Sequence, residues 1–443
     1  MSVRGPPAPC RARRLVNERS AGHWLHSWNP DGRTRLREAR VEDDVREALQ
    51  NVRVHRPDIE QRKRMLELSD EVGVQVTFLG FPVTSDSERE QCAELVAHIG
   101  DRKLRQTPAL MARAVPTDLG PLLDIQQRTS VRIVADLYLS TSPIRARVEH
   151  WSVPDMLGRL ADVARLAAAE DLDFRIAFED STRTPPDVLA DCVKAALDVG
   201  ARCIVLNDTA GDCLPAGAAA HTRFVAELIE RSGAEAELAW HGHNDKGLAL
   251  ANSLAAIEAG ADLISGTFTG LGERTGNLAL EQLLVVLADA GNTQYDVSRL
   301  VEMCASVSAA TRVPIPSHLP VVGADAFSTS TGTHATAVLK ARALGADFED
   351  VVYSAVSAVR LGRTQELLLG PNSSRPAVSA VLAELSLPGT DDDIDALLRY
   401  CKTHNSTLRT RDDVLGALLP TAAPERADSL GRTAVPSSRT GRN

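Results

Sequence analysis

The chain has 443 residues, 44% apolar and 24% charged, enough apolar material for a large core with an appendage and too much for a disordered or fibrous chain. With 59 acidic against 49 basic side chains, the formal charge of −10 argues against nucleic acid or an anionic membrane as the main partner. Seven scattered cysteines with no C-x-x-C pair fit reduced thiols. No apolar run reaches the ~18 residues of a membrane span and no signal-like stretch opens the chain, so a cytoplasmic protein is expected.

Residues 1–30 and 421–443 mix Pro, Gly, Arg and Ser and read as flexible tails. Between them, strand-like runs at 39–44, 74–80, 108–113, 131–139, 174–178, 203–207, 236–241 and 263–268 alternate with segments of helical periodicity, such as 58–73, 187–200 and 248–261. Eight such repeats predict a TIM (β/α)8 barrel over 31–292. A doubly wound sheet is the alternative, but no G-x-G-x-x-G follows the first strand. From about 295 the rhythm becomes helical, which predicts a C-terminal helical subdomain over 293–420.

His241 and His243 stand at i and i+2 where the seventh strand ends, so both side chains point to the barrel interior near its C-terminal rim. Two imidazoles held this way form half of a metal site, although an isolated H-x-H is more commonly polar surface or hydrogen-bonded core. The surroundings are more informative. The stretch HGHNDKGLALANSLAAIEAGADLISGTFTGLGERTGN, residues 241–277, resembles the signature of the metal-dependent acyl-CoA-condensing barrels that include 2-isopropylmalate, homocitrate and citramalate synthases. The resemblance spans about 40–400 and is strongest over 174–280. It implies that His241 and His243 are metal ligands and that Asn277 is a further ligand or close neighbour of the ion, with Gly270, Gly272 and Gly276 letting the loop turn.

The same resemblance calls for an acidic ligand in an L-R-D/E-G-E-Q motif at the end of the first strand, preceded by an Arg that stabilises developing negative charge. Two segments compete, Arg37-Glu38 in LREARV and Arg46-Glu47 in VREALQ. The motif should lie one helix before G-F-P, here Gly80-Phe81-Pro82. That spacing favours Arg46 and Glu47, with Gln50 as the motif's final Gln; Ala48 and Leu49 depart from the pattern. A Glu and two His leave coordination positions open for a divalent cation, Mg, Mn or Zn, to chelate a 2-oxo acid.

Ser142 and Arg145 in STSPIR resemble the T-S-x-x-x-R segment of homocitrate synthases, and the Arg fork suits a second carboxylate on the acceptor. Glu179 and Thr209 follow strands five and six, where barrel active sites lie. By resemblance Thr209 binds the 2-oxo-acid carboxylate. Glu179 orients substrate or moves a proton, with an ion pair to Arg183 as the competing reading, while Asp180 and Asp208 are read as scaffold. GADAFSTSTGTHATAVLK and YSAVSAVRLGR resemble segments whose His and Tyr, here His334 and Tyr353, assist proton removal from acetyl-CoA in the neighbouring subunit. This implies a homodimer. Ser328 stands where the family segment has its first His. The chain ends too early for a leucine-sensing domain, so feedback by leucine is not expected.

The resulting expectation is an acyltransferase that condenses acetyl-CoA, or another short acyl-CoA, with a 2-oxo acid carrying an acidic distal group. The alternatives are a carbon–carbon lyase of the 3-hydroxy-3-methylglutaryl-CoA type and a non-catalytic binding relative. Those lyases carry a Cys in the glycine loop, and GLGERTGN has none.

Overall fold

A computed structural model describes residues 25, 26, 28, 29 and 34–418. The expected tail at 421–443, and all but a few residues of that at 1–30, lie outside the described residues. Eight parallel strands close into a barrel in chain order: β1 (Arg40–Asp43), β2 (Val76–Gly80), β3 (Thr107–Arg113), β4 (Val134–Ser140), β5 (Asp173–Glu179), β6 (Cys203–Asp208), β7 (Glu237–Gly242) and β8 (Leu263–Gly266). β8 returns to β1 with Arg40 opposite Leu263 and Asp43 opposite Gly266. Each strand-like run of the sequence is thus a strand of one closed sheet.

The strands are buried on both faces, so their in–out phase is set by which side chains meet the helices. In β5, Phe174, Ile176 and Phe178 join the large core between sheet and helices, whereas Ala177 joins the small cluster inside the barrel. In β7, Leu238 and Trp240 point outward and Ala239 inward. The inner cluster is completed by Val76, Phe78, Ala109, Cys203, Val205 and Leu263. One ionic group shares this space: Arg175 of β5 donates to Glu42 of β1 and Asp136 of β4, all at most 4% exposed. Because unpaired burial of any of the three would be very costly, they hold one another in place.

The surrounding helices begin and end on ordinary signals. Helix Ile59–Val72 opens with a capping box between Asp58 and Gln61 and stops at Gly73. Helices Asp86–Arg102 and Val153–Ala169 start on Ser85 and Ser152 caps.

The chain divides into two compact units. The boundary falls later than the 293 expected from the change of rhythm, because Leu300, Met303, Cys304 and Val307 of helix Leu300–Thr311 are buried in the same core as the barrel helices. The first unit runs through Phe327 and includes Tyr353–Gln365. The second comprises 328–352 and the described residues from Glu366 onward. It pairs β9 (Ser328–Thr329) with β10 (Glu366–Leu367) and packs four helices, Gly332–Leu344, Arg375–Glu384, Asp391–His404 and Arg411–Leu418, around Val338, Leu369, Leu382 and Leu397. Among the described residues no helix is long and apolar enough to cross a membrane, and no disulfide links the six free cysteines.

Candidate metal and substrate site

Where β1 ends, Asp44 caps a single helical turn, Val45–Ala48: its Oδ1 accepts the Glu47 N–H at 2.8 Å. Arg46 donates to Asp44 Oδ2 at 2.8 Å, pairs with Glu47 Oε2 at 3.0 Å, and lies 4.6 Å over the Phe78 ring. The turn therefore presents Glu47 inward with its second oxygen available. Across the rim, period-2 alternation in β7 sends His241 and His243 inward on either side of Gly242, their rings edge-to-face at 5.3 Å. His241 Nδ1 shares a hydrogen bond with Ser265 Oγ of β8 at 3.1 Å. Glu47 Oε1 stands 3.8 Å from His243 Nε2. One potential ligand atom from each of Glu47, His241 and His243 lies within 4.8 Å of the other two.

The electrostatics suit a cation. Burial opposes ionisation of Glu47, but the Arg46 guanidinium and the two imidazoles outweigh it and move its carboxyl below the ordinary range. Burial lowers both histidines, His241 to about 3, with His243 adding to the effect, so both imidazoles are neutral at pH 7 with lone pairs to offer. Asp44 moves the other way: burial raises it to about 7 against the pull of Arg46. Asn277, 1% exposed, pairs through its backbone with His243, and its Oδ1 is buried without a protein partner, as is His243 Nδ1. Buried acceptors left unpaired are costly unless a ligand satisfies them. These residues fit a divalent cation by charge, by donor type and by these orphaned atoms.

The loop after β8 is folded onto this centre. Glu273 N–H points to Glu47 Oε1 at 3.4 Å, Asn51 donates to the Gly272 carbonyl, and Asn244 N–H bonds Gly276 O. Two glycines are required. At Gly276, φ is 90° and a Cβ would fall 1.9 Å from the Gly270 carbonyl; at Gly272 it would meet the Asn277 amide at 2.3 Å.

A cavity of about 360 Å³ opens beside the triad, lined by Arg46, Glu47, Gln50, Arg145, Glu179, Thr209, His241 and His243 among the expected residues. The structure thus brings Glu47 to the histidines. Glu38 instead ends the helix Thr34–Glu38 before β1 and lines a cleft at the starts of the strands. Ser142 does not line the cavity. It is 1% exposed and its Oγ accepts the Arg145 N–H as cap of helix Pro143–Glu149, a role its place before Pro143 favours. Glu179 does not pair with Arg183, which binds Asp180; its Oε1 takes Arg145 at 3.0 Å. Thr209 Oγ1 accepts the Asp180 N–H, and its carbonyl is held by Arg274. His334 is exposed in helix Gly332–Leu344 of the second unit, and Tyr353 is 56% exposed in the stretch belonging to the first. Neither lines this cavity.

The cavity wall also contains Asp44, Glu273, Phe78, Phe81, Met111 and Tyr138, which the sequence reading did not single out. Strand alternation was the signal for some of them. Asp44 continues the inward phase of Arg40 and Glu42, and Tyr138 that of Val134 and Asp136. Glu273 had no such signal, since it reaches the site only through the fold of the glycine loop.

The HMGL-like family profile matches residues 40–307. Homocitrate synthase AksA of Methanopyrus kandleri is 31% identical over 373 residues, 83% of this chain and 88% of that protein. The 2-isopropylmalate synthase of Afipia carboxidovorans is 31% identical over 84% of this chain and 70% of its own length. Among solved structures, hydroxymethylglutaryl-CoA lyase from Pseudomonas aeruginosa superposes with a TM-score of 0.53 at 21% identity, over 62% of this chain and 93% of that one, which speaks to the fold. Profile, relatives and closed barrel agree: the chain belongs to the HMGL-like family, alongside the homocitrate and 2-isopropylmalate synthases it matches.

Proposed function

We propose that the protein is an acyl-CoA:2-oxo acid C-acyltransferase, condensing acetyl-CoA or a short acyl-CoA with a 2-oxo acid, after which water hydrolyses the thioester to give a 2-hydroxy di- or tricarboxylate and free CoA. The observation that carries this reading is the triad Glu47, His241 and His243 at the wall of a cavity also lined by Thr209 and Arg145. It is supported by relatives named for such products.

In this reading Glu47, His241 and His243 hold the divalent ion, with Asn277, whose buried Oδ1 has no protein partner, as a further ligand or close neighbour. When bound, the ion supplies a Lewis acid for the acceptor's oxo group. Arg46 places a permanent positive charge beside the oxygen on which negative charge builds. Thr209, whose hydroxyl oxygen is already occupied by the Asp180 N–H, keeps its hydrogen to donate to the acceptor's carboxylate. Gln50, exposed on the turn that carries Glu47, belongs to the wall on the acceptor's side. Arg145 takes the distal end of an acidic acceptor, and Glu179 is its protein partner. His334 and Tyr353 assist removal of a proton from the acyl methyl group. If they serve the site of a partner subunit, the active species is a homodimer, and the free thiols fit the cytoplasm.

The test is CoA release by the metal-loaded protein with acetyl-CoA and a panel of 2-oxo acids. Metal-dependent release with at least one acceptor is expected. No release from any acceptor, with metal bound, would overturn the reading.

A further inference from the structure

Arg145 does not wait in the cavity as an isolated cation. It sits on the short helix Pro143–Glu149 after β4, its guanidinium 3.0 Å from Glu179 at the end of β5 and 5.4 Å over the Trp151 ring, with Glu149 at 3.6 Å. In an eight-stranded ring β4 and β5 stand across the mouth from β8 and β1, so this pair faces the Glu47–His241–His243 triad over the same cavity. The other two guanidinia of the wall are committed in the same way, Arg46 to Asp44 and Glu47 and Arg175 to Glu42 and Asp136. An acceptor arriving with a second carboxylate therefore finds no unpaired positive charge. It must share Arg145 with a side-chain carboxylate that is already there.

We propose that Glu179 is an internal carboxylate occupying the distal-acid position at Arg145, and that it sets the preference between 2-oxo acids with and without a second carboxylate. This rests on the condensation reading and deepens it. A guanidinium fork donates to carboxylates in a fixed geometry, and Glu179 already takes Nη1, so Glu179 and an acceptor's distal carboxylate compete for the charge of one guanidinium. Arg145 is 43% exposed at its side chain and Glu179 21%, so the pair is reachable from the cavity. An acceptor with an apolar distal end leaves the pair intact and meets the Phe81 and Tyr138 side of the wall. An acidic acceptor reaches Arg145 either beside Glu179 or in its place, and in both cases a second carboxylate is nearby, which like-charge repulsion penalises.

The test compares wild type, Glu179→Gln and Arg145→Met with 2-oxoglutarate and 2-oxoisovalerate. Two readings are taken: KM and kcat with acetyl-CoA, and the dissociation constant of each acid by calorimetry with Mg2+ and no acyl-CoA. Glu179→Gln is expected to move the ratio of dissociation constants, and of KM values, about tenfold toward 2-oxoglutarate, the size of one weakened competing ion pair. Arg145→Met should move both ratios the opposite way. Glu179→Asp, which keeps the charge on a shorter arm, should shift them in the direction of Gln by less. An unchanged ratio in Glu179→Gln, or an equal loss for both acids, overturns the proposal. If the binding ratios shift as stated while no variant releases CoA, the specificity assignment stands and the condensation reading fails.

Discussion

Glu47 Oε1 stands 3.8 Å from His243 Nε2, a contact between the exit of the first strand and the exit of the seventh. It favours Arg46-Glu47 over Arg37-Glu38, because Glu38 lies before β1 and lines a cleft at the strand starts. Glu47→Gln is expected to lower the affinity for a divalent cation and the metal-dependent turnover by at least ~100-fold, the scale of losing one charged ligand. Glu38→Gln should leave both within about twofold, as substitutions at exposed positions usually do. Metal titration followed by turnover assays distinguishes the pair, and the reverse pattern would restore Glu38.

Chelation should act on stability as well as on activity. Stripping the protein with a chelator is expected to abolish turnover and lower Tm, and returning Mg, Mn or Zn should reverse both. At a hundredfold excess over Kd the stabilisation is about 2.7 kcal/mol. Differential scanning calorimetry with and without metal reads this. A metal-independent Tm in wild type would count against the triad as a binding site, and Glu47→Gln should show that behaviour.

The glycine loop offers a test that touches no candidate ligand. Gly276→Ala puts a Cβ 1.9 Å from the Gly270 carbonyl at a φ of 90°, so the loop must open at the point where it carries Asn277. A loss of about 2–3 kcal/mol is expected, together with weaker metal binding, by urea denaturation and titration. A variant as stable as wild type would mean that the loop relaxes without cost.

Behind the same loop, Glu281 is fully buried, and one of its oxygens accepts the N–H of Thr269, a residue held at φ 64°. Burial raises its carboxyl from 4.5 to about 7. Between those values the unfolded chain has lost this proton and the folded one still holds it. The contribution of Glu281 to stability is therefore greatest below 4.5 and declines as pH climbs to 7. Asp43, raised to about 8 by burial against Ser69, adds a slope of the same sign. Glu281→Gln is expected to remove its share, leaving the variant more stable than wild type at pH 8 by roughly 1–3 kcal/mol and closer to it at pH 5. Chemical denaturation at the two pH values gives the difference, and parallel profiles would show that Glu281 ionises normally.

The barrel was legible because its signal is local. Each strand carries its own run of β-branched and apolar residues, each helix its own period and caps, and His241 and His243 share a face by spacing alone. What was not legible depends on which strand ends become neighbours. The partner of Arg145 is settled by the adjacency of β4 and β5, which brings Glu179 to it and leaves Arg183 with Asp180. Ser142 is expected at the substrate from the resemblance of STSPIR to a family segment, and in the structure its Oγ caps helix Pro143–Glu149. The boundary expected at 293 rests on helical periodicity, which in 300–311 announces a helix but not the surface on which it is buried.

The ion group of Arg175, Glu42 and Asp136 has a kinetic consequence. With the inner apolar cluster it plugs the barrel's interior, so the cavity is a vessel with one mouth. On the proposed condensation, an acyl-CoA seated over that mouth would require the oxo acid to enter before it and the hydroxy acid to leave after CoA. The order expected is therefore oxo acid first and hydroxy acid last. Product inhibition by the hydroxy acid should then be competitive toward the oxo acid, the two contending for the same empty enzyme.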